Sequence, residues 1–164
     1  MAILMFLNLD GIEGESSDAG HRHEIELLSY DWGESHMLAG SGVGAGGGGS
    51  IGKIEMQDFH FCMHVNQASP KLFLACAAGT HIKRAVLSVR HTGNTQSDFL
   101  RWTLSDVLVT SYQTAGEATA KSLPADQISL HFAGIEVEYH PLKPDGSLGT
   151  GIQAGWDALA NKSV

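Results

Sequence analysis

Two apolar runs late in the chain change phase halfway, and this restricts the fold more than any other feature. Between Phe99 and Tyr112, the residues Leu100, Trp102 and Leu104 alternate, and the apolar positions then jump to Val107 and Val109. Between Ile128 and Tyr139, the residues Ile128, Leu130 and Phe132 alternate, and the phase moves to Ile135, Val137 and Tyr139. A strand buries every second side chain, so a one-residue change of phase turns the buried face over. One extra residue in each run, a β-bulge at Ser105-Asp106 and another at Ala133-Gly134, would produce that reversal. Strands that change face midway suit a closed or nearly closed barrel, in which one strand serves two sheets. The expected fold class is mainly β: a bent β-barrel of two packed antiparallel sheets.

One helix flanks it, expected over about residues 70–78. Ser69 suits the N-cap, where its hydroxyl accepts an orphan N–H. Pro70 falls at the first helical position, and Gly79 suits the left-handed residue that ends a helix. Leu72, Phe73 and Cys76 form one stripe, while Leu74, Ala77 and Ala78 cover much of the rest. Lys71 is the only charge. A helix apolar almost all round is buried on more than one side. The chain's own sheet covers one side, and either a long loop or a second subunit covers the other.

The remaining strands read in order as Ile3–Leu9, Glu24–His36, Lys53–Val65 and His81–Thr92, with a last short strand at Gly151–Asp157. In the second strand, Asp31 lies between Tyr30 and Trp32 and points away from them. Residues 39–52 are mostly glycine, including Gly44, Gly46, Gly47, Gly48 and Gly49, and are expected to form a mobile loop joining the second and third strands as a hairpin. The loop lacks the Gly-Lys-Ser/Thr ending of a phosphate cradle and leads into a strand. A single domain over residues 1–164 accounts for the length.

Lys and Arg number 10 against 18 Asp and Glu, a net charge of −8. That balance argues against a nucleic-acid partner and against an anionic membrane surface. Cys62 and Cys76 make no disulfide framework. The apolar start, Met1 to Asp10, has no basic region and no cleavage site, so it reads as a strand and not a signal peptide. No run reaches membrane-spanning length.

The sharpest chemical constellation is Asp58-Phe59-His60-Phe61-Cys62-Met63-His64. On a strand, Asp58, His60, Cys62 and His64 share one face, near enough to share a metal with His21 or His23 as a further ligand. Against this, ligands on one strand lie in a line, a poor shape for a tetrahedral ion. A metal-binding or ligand-binding β-barrel is therefore the alternative to a structural reading.

Taken together, the landmarks resemble the Hcp family, the haemolysin-coregulated proteins of bacterial type VI secretion. The resemblance rests on Gly14-Glu15-Ser16, the strand from Glu24 to Gly33, the glycine loop up to Gly52-Lys53, and Gln57-Asp58-Phe59. It continues through Ala68 to Cys76, Gly79-Thr80-His81-Ile82, Leu104 to Val109, Ile135 to Tyr139 and Gly155-Trp156-Asp157. It implies a homohexameric ring that stacks into a secreted tube, with a contractile sheath and a VgrG-type spike as partners. Effector proteins in the lumen are implied, as are the absence of catalytic residues, metal and cofactor. A cytoplasmic pool would be exported by the machine without a signal peptide. The chain ends at Val164, so no fused C-terminal toxin domain is expected. On this reading Ser29 and Asp31 face the lumen and its effectors, and Leu72, Phe73, Leu74 and Cys76 form a subunit interface. The glycines of the loop contact the next ring. Asp31 stands where the family often carries a small polar residue.

Overall fold

A computed structural model describes residues 2–36, 54–93, 97–119 and 121–164. The glycine loop at 39–52 lies outside the described residues. Among those described, the elements are β1 Ile3–Leu9, β2 Ile25–Glu26, β3 Ser29–Asp31, β4 Glu34–His36, β5 Ile54–Met56 and β6 Phe59–His64. After α1, Ser69–Ala78, come β7 His81–His91, β8 Asp98–Ala115, β9 Ala125–His131, β10 Gly134–Tyr139, β11 Ile152–Asp157 and β12 Lys162–Ser163.

The main sheet runs β12-β11-β10-β8-β7-β1-β2, and a branch runs from β8 through β9 and β6 to β3. The strand pairings are antiparallel throughout. The second and third expected strands do form a hairpin, but each is broken. β3 pairs with β6, and β4 pairs with β5 as a separate ribbon. β8 is the shared strand: its first half carries β10 and its second half carries β9.

The face reversal occurs where the sequence places it, but by another route. Gly134 pairs with Ser105 and His131 with Leu108, in one continued register. On the other side Arg84 pairs with Ser105 and Ile82 with Val107, again in one register. No residue is inserted. Instead neighbouring strands turn over together, with Lys83 and Arg84 both exposed in succession, and Ser105 and Asp106 likewise. Asp106 takes a left-handed φ of 50°, which Asp tolerates better than most residues. The true register shifts lie at Val89/Arg90 and at Val109/Ser111.

The sheet wraps without closing into a barrel. The segment from Ile25 begins on β1 and ends on β6. The Leu27 N–H donates to the Met5 carbonyl at 3.0 Å, and the next N–H, of Leu28, donates to the Cys62 carbonyl at 2.8 Å. The closing strand is therefore two short pieces. The space between the layers is filled by Leu7, Phe59, Met63, Leu72, Leu87, Ile128 and Leu130, all at most 1% exposed.

The helix start also differs from expectation. Ala68 is the N-cap residue, with no side-chain capping bond. Asn66 serves nearby instead, its Oδ1 accepting the Ala68 N–H at 2.8 Å. Gly79 ends the helix as expected, at φ 64°.

A buried ionic cluster ties the loop after β1 to the sheet. Both ring nitrogens of His21 meet carboxylates, Glu24 at 2.7 Å and Asp98 at 3.0 Å. The ring stacks on Phe6 at 4.5 Å. Arg90 reaches Asp98 and Asp18 at 3.0 and 3.1 Å and also covers Phe6. Burial tends to raise the Asp98 carboxyl, but the hydrogen bonds and charges of His21 and Arg90 outweigh it and hold it below the ordinary carboxylate value.

Two outcomes follow from these contacts. Asp98 contributes stability above its unfolded pKa, and that contribution disappears as acid protonates the folded carboxyl. Asp98→Asn is expected to cost about 2–3 kcal/mol at neutral pH and to flatten the fall of stability below about pH 4, read by denaturant unfolding across pH. Asp106→Val, a β-branched residue forced to positive φ, is expected to cost about 1–2 kcal/mol, with Asp106→Gly close to neutral in the same thermal melts.

Candidate functional site: a polar wall and an apolar helix ridge

The branch β3-β6-β9-β8 buries one face and shows the other. Phe59, Phe61 and Met63 alternate inward along β6, with His60, Cys62 and His64 half-buried between them. Tyr30 stacks on Phe59 from the neighbouring strand, at 5.6 Å. The period of two then sends Ser29 and Asp31 outward, and both are exposed.

On the outward face the register lines up two rows across four strands. One row is Asp31, His60, Ser129 and Ser111, and the other is Ser29, Cys62, Gln127 and Gln113. They form a shallow depression of about 300 Å³. The first row is tied laterally, since His60 Nδ1 meets Ser129 Oγ at 2.6 Å and Ser111 Oγ donates to Ser129 Oγ at 2.7 Å. The next row is Asp58, held by His131 at 3.0 Å and by the Thr110 hydroxyl at 2.7 Å. No lysine or arginine occurs in β3, β6, β9 or the paired second half of β8. The wall is therefore neutral to acidic, and Asp31 is its exposed carboxylate.

The metal reading does not survive this arrangement. Asp58, His60, Cys62 and His64 do share a face, but Asp58 is taken by His131 and Thr110, and His60 by Ser129. Their cross-strand neighbours are mostly serine and glutamine, which add no strong ligands. Among the described residues no group of three His, Cys, Asp or Glu side chains could hold an ion. His21 sits in the ionic cluster instead, and His23 is an exposed turn residue at φ 62°.

The helix presents the second surface. Leu72 is fully buried against its own sheet and Cys76 is half-buried beside it. Phe73 and Leu74 face outward at 60% and 62% exposure. Tyr112 touches the edge of Phe73, at 6.2 Å. Leaving two such side chains in water forgoes about 1.5–3 kcal/mol each relative to burial. The loop glycines Gly44, Gly46, Gly47, Gly48 and Gly49 lie outside the described residues.

A buried clamp, with no signal in the sequence pattern, fixes the helix to the wall. Asp126 is fully buried on β9 and accepts from Ser69 Oγ at 2.6 Å and from the Tyr112 hydroxyl at 3.0 Å. Burial and the adjacent Asp126 carboxylate raise the Tyr112 phenol above its ordinary value, which keeps it a donor. The Gly14-Glu15-Ser16 stretch braces the same corner. Glu15 accepts the Gln67 N–H at 3.0 Å, and the Gln67 side chain donates to the Gly14 carbonyl.

These features define an antiparallel β-sheet protein with one packed helix, a polar sheet face and an apolar ridge left in water. The profile of the family described as type VI secretion system effector, Hcp, matches residues 6–139. Protein hcp1 of Pseudomonas aeruginosa is 37% identical over 163 residues, 98% of each chain. The crystal structure of Hcp1 from Salmonella typhimurium superimposes with a TM-score of 0.81 at 30% identity, covering 100% of both chains. A structure of a type six secretion system protein gives a TM-score of 0.93 at 26% identity, covering 99% of this chain and 100% of the other. The chain belongs to the Hcp family of type VI secretion proteins.

The clamp makes a measurable claim. Ser69→Ala removes a donor from a buried carboxylate and is expected to cost about 1–3 kcal/mol. Lys71→Ala, on the exposed side of the same helix, is expected to stay within about 0.5 kcal/mol. Equal effects in denaturant unfolding would contradict the clamp.

Proposed function

We propose that this chain is a structural subunit of the type VI secretion tube. Six copies form a ring, the rings stack, and the polar wall of Ser29, Asp31, His60, Ser129 and Gln127 faces the lumen. The observation that carries the reading is the composition of that wall: hydrogen-bonding side chains in register across four strands, with no lysine or arginine and no outward apolar cluster. Such a surface stays wet and holds passengers through many weak polar contacts, which suits a conduit. The apolar ridge of Phe73 and Leu74 supports self-association, because a second copy would remove it from water. β3 also pairs only with β6, so its other edge carries no strand among the described residues.

On this reading the function is assembly and transport, not catalysis, and no cofactor takes part. The partners are further copies of the chain, a contractile sheath, a VgrG-type spike and effector proteins. The glycine loop, with Gly44 and Gly46 to Gly49, contacts the next ring. Export proceeds from a cytoplasmic pool through the machine. No helix among the described residues is long and apolar enough to cross a membrane.

Six copies of Asp31 would make one belt of carboxylates in the lumen, which selects passengers by charge. Asp31→Ser is expected to leave the assembled mass unchanged by light scattering and to alter the amount of effector that co-purifies. Identical retention by both rings would remove the role given to Asp31.

A further inference from the structure

A second apolar feature lies apart from α1, on the strands at the other edge of the main sheet. The β4–β5 ribbon pairs with no strand of the main sheet. Between it and β10–β11 lies an open groove of about 890 Å³. Its apolar lining includes Trp32, Met56, Trp102, Val137, Ala154 and Trp156, and it therefore holds all three tryptophans of the chain. Glu34 and Glu136 also line it, with no lysine or arginine among its lining residues.

The ridge on α1 is the complement of this groove in both respects. Phe73 and Leu74 project outward, and Lys71 beside them is exposed and is the only charged residue of the helix. β8 measures how far apart the two features are. Tyr112 touches Phe73, and Trp102 lines the groove. Ten residues of strand separate them, roughly 33 Å of chain. Ridge and groove are thus different patches at opposite ends of one strand. One copy cannot bring its own two together, and a contact using both is head-to-tail. Repeated around an axis, such a contact closes a ring in which every ridge and every groove is used.

We propose that the exposed side of α1, through Lys71, Phe73 and Leu74, docks into the tryptophan groove of a second copy of this chain, with Lys71 facing Glu34 and Glu136. The proposal rests on the ring reading given above and names the contact that makes the ring. Groove and ridge are each apolar with one flank of charge, and the charges are opposite, which sets the register as the apolar surfaces meet.

Complementation tests it with the full chain. Phe73→Asp with Leu74→Asp removes the ridge and keeps the groove. Ala154→Arg fills the groove and keeps the ridge. All three positions are exposed in the single chain, and thermal melts check that each variant folds. Each variant alone is expected to be monomeric by light scattering. An equal mixture is expected to give a species of twice the monomer mass and nothing larger, since only one intact ridge and one intact groove remain. As a milder pair, Lys71→Glu and Glu136→Lys are each expected to weaken association at least about tenfold, and the double variant to recover most of it. Retention of the wild-type mass by either disabled variant would overturn this contact and leave the ring reading standing. So would a mixture that stays monomeric, the result expected if the chain's own residues fill the groove, or a double charge variant no better than the singles. A monomeric wild type would overturn both together.

Discussion

The structure depends on one strand serving two layers. β8 carries β10 on its first half and β9 on its second, and its buried face changes between Leu104 and Val107. Without that reversal the outward side of the branch would be apolar along part of its length, and the polar rows could not run across β3, β6, β9 and β8. The reversal is shared. β7 turns at Lys83 and Arg84, directly beside Ser105 and Asp106. Because neighbours turn together, the strand register is the same on both sides of the bend.

The same strand separates two kinds of surface. Basic residues gather on β7 and the first half of β8, with Lys83, Arg84, Arg90 and Arg101, while the branch has none. Arg90 is consumed by Asp98 and Asp18 in the buried cluster. The wall is left with hydroxyls, amides, a thiol, histidines and carboxylates. At the far end of β8, Asp126 holds Ser69 and Tyr112, which aims one side of α1 inward and commits Phe73 and Leu74 to the outside. Local bonding thus decides which apolar residues stabilise the fold and which are left in water.

Much of this was legible in the chain. The apolar run at the start marked β1, alternation marked the inward face of β6, and the broken alternation located the turn-over at Ser105-Asp106 and Ala133-Gly134. The bulge it suggested was absent, because a phase change in one strand does not reveal that its neighbours change phase too. The outward placement of Asp31 followed from the aromatics on either side. Ser69 reads as a cap by local rules, yet its hydroxyl is drawn 57 positions along the chain to Asp126. No periodicity marks such a partner, and the same holds for His21 between Glu24 and Asp98. The aligned histidines and cysteine of β6 suggested a metal; their cross-strand partners, which only the fold supplies, gave them other neighbours. The tryptophan groove was hidden for a similar reason, since its walls come from segments scattered between Trp32 and Asn161.

A three-dimensional reconstruction of purified particles by electron microscopy tests the central claim most directly. The account predicts a six-membered annulus in which β3, β6, β9 and the second half of β8 form the inner wall, with Asp31 facing the opening. Particles no larger than one chain, or rings that turn this wall outward, would contradict it.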